Sequence, residues 1–213
     1  MRLRDRLGIG AHRQRQLSRA MQVVLLGFAA AGVVEGRPAV IVNAVLGLAI
    51  TFLPALLERD RGIVMDTGLV LWLTAAVFLH VVGGAGPYRS ISWWDHLTHA
   101  FSASVVAAAG YTGFRAIEQH SPAVQFPRNL LFVFILIFVM AFGVIWELME
   151  FGLGIAADLA GTAPFLTQYG LDDTMMDLVF DLIGGVTVAL FGEAYILGLT
   201  DQVVAYLHRA RPH

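Results

Sequence analysis

Apolar stretches of membrane-crossing length recur from one end of this 213-residue chain to the other, and no other feature restricts its fold so strongly. A helix needs about 20 predominantly apolar residues to cross a bilayer. Inside lipid only helices and closed barrels satisfy every backbone polar group. Six stretches qualify: about Ala20 to Val34, Pro38 to near Leu57, Ile63 to Val82, Asp95 to near Ile117, Asn129 to Phe151 and Asp173 to near Leu199. Charged residues make up 14% of the chain, against roughly 25% in a soluble domain. An ordinary soluble enzyme and a disordered chain are both excluded. The expectation is an all-α polytopic membrane bundle of about six spans, a single domain over residues 1–213.

Charge orients the bundle. All 14 basic residues are arginine. With the N-terminus inside, Arg2, Arg4, Arg6, Arg13, Arg15, Arg19, Arg59, Arg61, Arg115, Arg128, Arg209 and Arg211 fall on the cytoplasmic side, and only Arg37 and Arg89 fall outside. That asymmetry follows the positive-inside rule, puts both termini in the cytoplasm, and places the protein in a cytoplasmic (inner) membrane as a multi-pass chain. Residues 1–19 read as a retained basic head that rests on anionic lipid or trails free, not as a cleaved signal. Residues 152–172 read as an extracytoplasmic loop over the polar groups, broken by Gly161, Pro164 and Gly170. The absence of cysteine and lysine removes thiolate, iron–sulfur and lysine Schiff-base chemistry. A net charge of −2 gives no basis for nucleic acid as a partner.

Ionisable residues within spans are costly and by default mark function. Here they gather at the outer ends of four spans. The fourth opens Trp93-Trp94-Asp95-His96-Leu97-Thr98-His99, which puts Asp95 and His99 four apart on one helix face. Asp95 alone would suit a helix cap; His99, one turn deeper, would not. The fifth ends Trp146-Glu147-Leu148-Met149-Glu150-Phe151, two carboxylates where the helix dipole is already negative. The sixth opens with Asp172, Asp173, Thr174 and Asp177, followed by Asp181. Thr174 and Asp177 fit a capping box, but Asp181 lies too deep for one. His80, near the outer end of the third span, is a further candidate ligand. Gly184 and Gly185 read as a close-packing pair.

Three short motifs carry a resemblance. W-D-H-L-T-H-A-F, W-E-L-M-E-F and D-D-T-M-M-D-L-V-F-D-L-I-G-G, spanning roughly residues 95–185, resemble the polar motifs of the YjdF-type inner-membrane proteins, multi-span proteins without an established activity. The resemblance implies a multi-span fold and selects Asp95, His99, Glu147, Glu150, Asp173 and Asp177; Asp181 lies beyond the shared pattern. The opening D-x-x-x-H is also similar to VanZ-type membrane proteins.

Clustered carboxylates in a low dielectric demand counter-charge or protons. The carboxylate and imidazole groups of Asp95, His99, Glu147, Glu150, Asp173, Asp177, Asp181 and His80 together suit a divalent ion, Zn, Mn or Fe, near the extracytoplasmic face. The set is too poor in histidine for the His-rich di-iron desaturase type. Such a centre could serve a metal-dependent enzyme acting on a lipid or other amphipathic substrate, with Glu150 as general base. The alternatives are a cation- or proton-coupled carrier using the same groups, and a clamp that only ties helices together.

Overall fold

The computed structural model describes residues 9–209 apart from 122 and 167, and leaves the side chains of 193–195 undescribed. Arg2, Arg4, Arg6 and Arg211, part of the charge argument, lie outside the described residues. The described chain is all-helical: α1 (Ala11–Glu35), α2 (Pro38–Thr51), α3 (Leu53–Arg61), α4 (Thr67–Ala85), α5 (Pro87–Ser90), α6 (Trp94–His120), α7 (Arg128–Ala160), α8 (Leu171–Phe191) and α9 (Glu193–Arg209), with no strand among the described residues.

Local chemistry sets many of the boundaries. Pro38 opens α2 at a position where its missing N–H costs nothing. Asp66 caps α4, its Oδ1 accepting from the Gly68 N–H at 2.9 Å. Phe52, between α2 and α3, keeps right-handed helical angles, so the two run on as one apolar rod over Pro38–Arg61.

Three expectations are corrected here. The first helix begins at Ala11 rather than near Ala20, so the inner half of the basic head is already helical. The segment expected to be a loop over 152–172 is helical as far as Ala160 and again from Leu171. Gly152 and Gly154 do not break α7, because a helix near lipid keeps its internal hydrogen bonds where no water can replace them. The turn comes instead at Gly161, whose φ of 65° is open to glycine and costly for other residues. The sixth expected span, Asp173 to Leu199, is interrupted at Gly192. That residue retains helical angles, so α9 follows α8 directly.

Five helices are long and apolar enough to cross a membrane: α1, α2 with α3, α4, α7 and α8. The one expected span outside these five is the fourth, Asp95 to near Ile117; it corresponds to α6, whose 27 residues would reach about 40 Å at 1.5 Å per residue. Its composition is diluted by small and hydroxylated residues because it packs against α4, α7, α8 and α9 and faces protein more than lipid. Its buried hydroxyls are satisfied within the helix, Thr98 donating to the Trp94 carbonyl at 2.8 Å and Thr112 to that of Ala108 at 2.9 Å.

Two cores result. Leu25, Ala29, Ala44 and Val81 join α1, α2 and α4. Ala107, Tyr111, Ile135, Val139, Val188 and Ile196 join α6, α7, α8 and α9. The halves are linked through α4: the Trp72 indole donates to Ser104 Oγ and the Trp94 indole to the Leu79 carbonyl, both at 3.1 Å. Trp94 is therefore a bolt between α4 and α6, while Trp93 is the exposed member of the pair. At the opposite pole Gln202 pins α9 to the α3–α4 turn, accepting from the Val64 N–H at 2.6 Å and donating to its carbonyl at 2.8 Å.

Candidate metal centre

The α6–α8 contact is the closest in the bundle and sets the site. A Cβ at Gly184 would collide with the Ala100 carbonyl oxygen, so backbone rests on backbone. The contacts of Gly184 with Ala100 and Ser104, and of His99 with Asp177 and Asp181, show the two helices running in the same direction. On the other side α7 runs antiparallel to α8: Thr174 meets Glu147, and Gly143 faces Leu178 and Asp181. Three helices thus bring their polar turns to one level.

His99 is the hub. Its Nε2 lies 3.7 Å from Asp95 Oδ1 and 3.8 Å from Asp177 Oδ2, and its Nδ1 lies 3.1 Å from Asp181 Oδ1. One ligand atom from each of Asp95, His99 and Asp177 falls within 4.8 Å of the others. The two longer distances are too great for hydrogen bonds. They are close to the roughly 3.4 Å edge of a tetrahedron of donors about 2.1 Å from a common ion. The shorter contact is a hydrogen bond in which Nδ1–H donates to the carboxylate. In a neutral ring that bond would leave the Nε2 lone pair toward Asp95 and Asp177, the arrangement in which an outer carboxylate orients a metal-binding histidine.

The carboxylates around this hub differ in what satisfies them. Asp177 is 2% exposed and its Oδ1 has no hydrogen-bond partner; Glu147 is 5% exposed and its Oε1 has none either, among the described residues. Glu147 Oε2 accepts from the Thr174 hydroxyl at 2.7 Å, which in turn accepts from Gln168 Nε2 at 2.8 Å. Glu150 Oε1 accepts from the Trp146 indole at 2.9 Å. Asp173 Oδ2 accepts from the Tyr169 N–H at 3.1 Å. Arginine ion pairs are formed with Glu35, Asp60 and Glu118; none reaches these acids among the described residues.

The structure therefore sorts the predicted ligands. Asp95, His99 and Asp177 converge. Asp181 lies at the other nitrogen of His99, 3.1 Å from Nδ1. Glu147 borders the cluster from α7. Glu150 and Asp173 are part-exposed and already held by Trp146 and the Tyr169 backbone. His80 stands outside the group: its Nδ1 is 3.0 Å from the Tyr88 hydroxyl and its ring meets Trp146 edge-on with centroids 5.2 Å apart. His96 points away and stacks on Phe180 at 4.5 Å.

Two supporting arguments from the residues need revision. Glu147 and Glu150 do not sit at a helix end, because α7 continues to Ala160; their cost comes from burial and mutual proximity, not from the dipole. The Thr174–Asp177 capping box does not form either. Gly170 precedes the helix without a side-chain cap, and Thr174 serves Glu147 instead.

Sequence reasoning missed Tyr88. It lies in the short α5 between two spans, and burial, followed by the negative field of Asp95, pushes its phenol above the usual tyrosine range. It stays protonated and holds His80. The only signal was its place beside Arg89 in a Gly-Pro turn, which gives no role.

Comparison with known proteins agrees in kind with this architecture. A family described as "Predicted membrane protein (DUF2238)" matches residues 17–197. An "Uncharacterized protein" of Thermotoga maritima is 36% identical over 123 residues, 56% of this chain and 58% of that protein, so the match spans little more than half of the relative's length. Neither is described as a VanZ-type protein. No solved structure matches the chain.

Proposed function

The chain belongs to the DUF2238 family of predicted membrane proteins, a multi-pass membrane protein, and on that premise we propose that it holds a divalent transition ion, Zn, Mn or Fe, at Asp95, His99 and Asp177 near the extracytoplasmic face. The observation that carries this reading is the division of labour at His99: Nδ1 bonded to Asp181, Nε2 turned to two carboxylates at non-bonding distances. Mixed oxygen and nitrogen donors fit that group of metals. The finer likeness to the YjdF-type proteins belongs to the same proposal, as does residence in a cytoplasmic (inner) membrane with the arginine-rich segments inside.

The activity we assign is metal-dependent chemistry on a lipid or other amphipathic substrate entering from the bilayer. The ion would supply Lewis acidity. Trp146 fixes one oxygen of Glu150, and the carboxylate, part-exposed beside the buried cluster, takes the proton as general base. The carrier alternative is disfavoured by what lies below Asp181. There α8 closes on α6 backbone to backbone, Gly184 against Ala100 and Ser104, and on α7 through Gly185 against Leu136 and Val139, with no relay of ionisable groups along these contacts among the described residues.

The test is elemental analysis of detergent-purified wild type beside His99→Ala and Asp177→Asn. A transition metal retained by the wild type and lost in both variants, each still helical by circular dichroism, is the expected result. Wild type that stays folded and metal-free after exposure to Mn, Fe and Zn would overturn the reading.

A further inference from the structure

We infer that the centre is dinuclear: a second divalent cation sits between α7 and α8, ligated by Glu147 and joined to the first through a bridging Asp177. The inference rests on the metal reading above and extends it to residues that the first ion leaves unexplained.

Each oxygen of these two carboxylates has a distinct environment. Asp177 turns Oδ2 toward His99, which leaves Oδ1 buried without a partner; Glu147 gives Oε2 to the Thr174 hydroxyl, which leaves Oε1 buried without a partner. A buried carboxylate oxygen with nothing to accept from loses the hydration it had in water and recovers nothing. Two such atoms are therefore costly, and one cation ligated by both would remove both costs.

Helix register supports their meeting. Thr174 touches Glu147, and one turn further Leu178 and Asp181 face Gly143. Residues 174, 177 and 181 follow one another at helical spacing, as do 143 and 147 on the antiparallel partner. Asp177 thus occupies the turn of α8 that lies between the two observed contacts, with Oδ2 toward His99 of α6. No arginine is ion-paired with either acid among the described residues.

Thr174, held in turn by Gln168, sets the rotamer that aims Oε1 inward, so Thr174 is a positioning residue. A site of oxygen donors alone suits Mn or Mg better than zinc. With two protein ligands it keeps positions open for water or a substrate oxygen. Paired ions about 3.5–4 Å apart are the arrangement that stabilises both the attacking and the leaving oxygen of a displacement.

The experiment is manganese loading of the detergent-purified full chain, read by metal stoichiometry and electron paramagnetic resonance. Two Mn per chain with an exchange-coupled spectrum is expected for the wild type. Glu147→Gln is expected to hold one Mn with an isolated hyperfine pattern, the retained ion serving as its own control for folding. One isolated Mn in the wild type would overturn the second site and leave the Asp95–His99–Asp177 reading standing. No Mn, Fe or Zn in a folded wild type would overturn both. Two coupled ions persisting in Glu147→Gln would remove Glu147 from the site.

Discussion

At the scale of single residues, the question is why a membrane helix carries Asp181. The carboxylate lies three turns into α8 and is buried, and Gly143 leaves room for it on α7, where a Cβ would press on its oxygen. Its bond to His99 Nδ1 fixes the tautomer and ring angle of the histidine. Outer-shell partners of this kind are worth about 10- to 100-fold in metal affinity. Asp181→Asn, which swaps a charged acceptor for a neutral amide, should therefore weaken the first ion by about that factor without changing how many ions bind at saturation. His99→Ala should remove the first ion altogether. Competition titration against a chelating indicator separates the two outcomes, and an unchanged affinity in Asp181→Asn would mean that the bond does not orient the ring. The residues to examine were legible because an aspartate, a histidine and two glutamates in apolar surroundings stand out. Their roles were not. The spacing of four along α8 gives Asp177 and Asp181 equal claim as ligands, and only the position of α6 decides which nitrogen of His99 each one meets.

At the scale of elements, glycines divide into those that set a contact and those that do not. Gly184 brings α8 onto the α6 backbone, the close approach that drives helix association in lipid through van der Waals contact. Gly152, on an exposed face of α7, has nothing within 4 Å of where a Cβ would stand. Gly184→Ala should then destabilise the bundle by about 1–3 kcal/mol, the usual range for overpacking. Gly152→Ala should be neutral or stabilising by up to about 1 kcal/mol through helix propensity. Thermal unfolding of the two variants in one detergent compares them, and equal melting temperatures would show that the Gly184 contact is not tight in solution. The same distinction explains where helix ends escaped the sequence. Gly152, Gly154 and Gly192 carry the same letter as Gly161, yet the chain turns only at Gly161. Whether a glycine breaks a helix depends on the water or lipid around it and on the partner across from it, neither of which is written locally.

At the scale of the whole molecule, the arrangement of the centre depends on α6 crossing the membrane. If α6 crosses, α4 rises, α6 descends, α7 rises and α8 descends, and the polar ends of all four share one face. If it does not, α7 and α8 are inverted relative to α4. Hydropathy alone favours the second case, because α6 is not among the five helices apolar enough to span. Packing favours the first: α6 lies against α4, α7, α8 and α9, and its small residues are buried against protein, where lipid solubility is not required. The arginine distribution agrees with the first case, leaving Arg37 and Arg89 as the two outside. Because the chain has no cysteine, single-cysteine variants report topology without background. Ser90→Cys in α5 and Thr162→Cys beyond α7 should react with a membrane-impermeant maleimide on intact cells. Asp60→Cys in α3 and Gln125→Cys between α6 and α7 should react only after permeabilisation. All four positions are exposed, so protection reflects the bilayer rather than the fold. Reaction of Ser90→Cys and Gln125→Cys from the same side would mean that α6 does not cross. The convergence of Asp95, His99 and Asp177 would then have to form at a membrane surface, where water compensates the carboxylates and the physical case for a bound metal is lost.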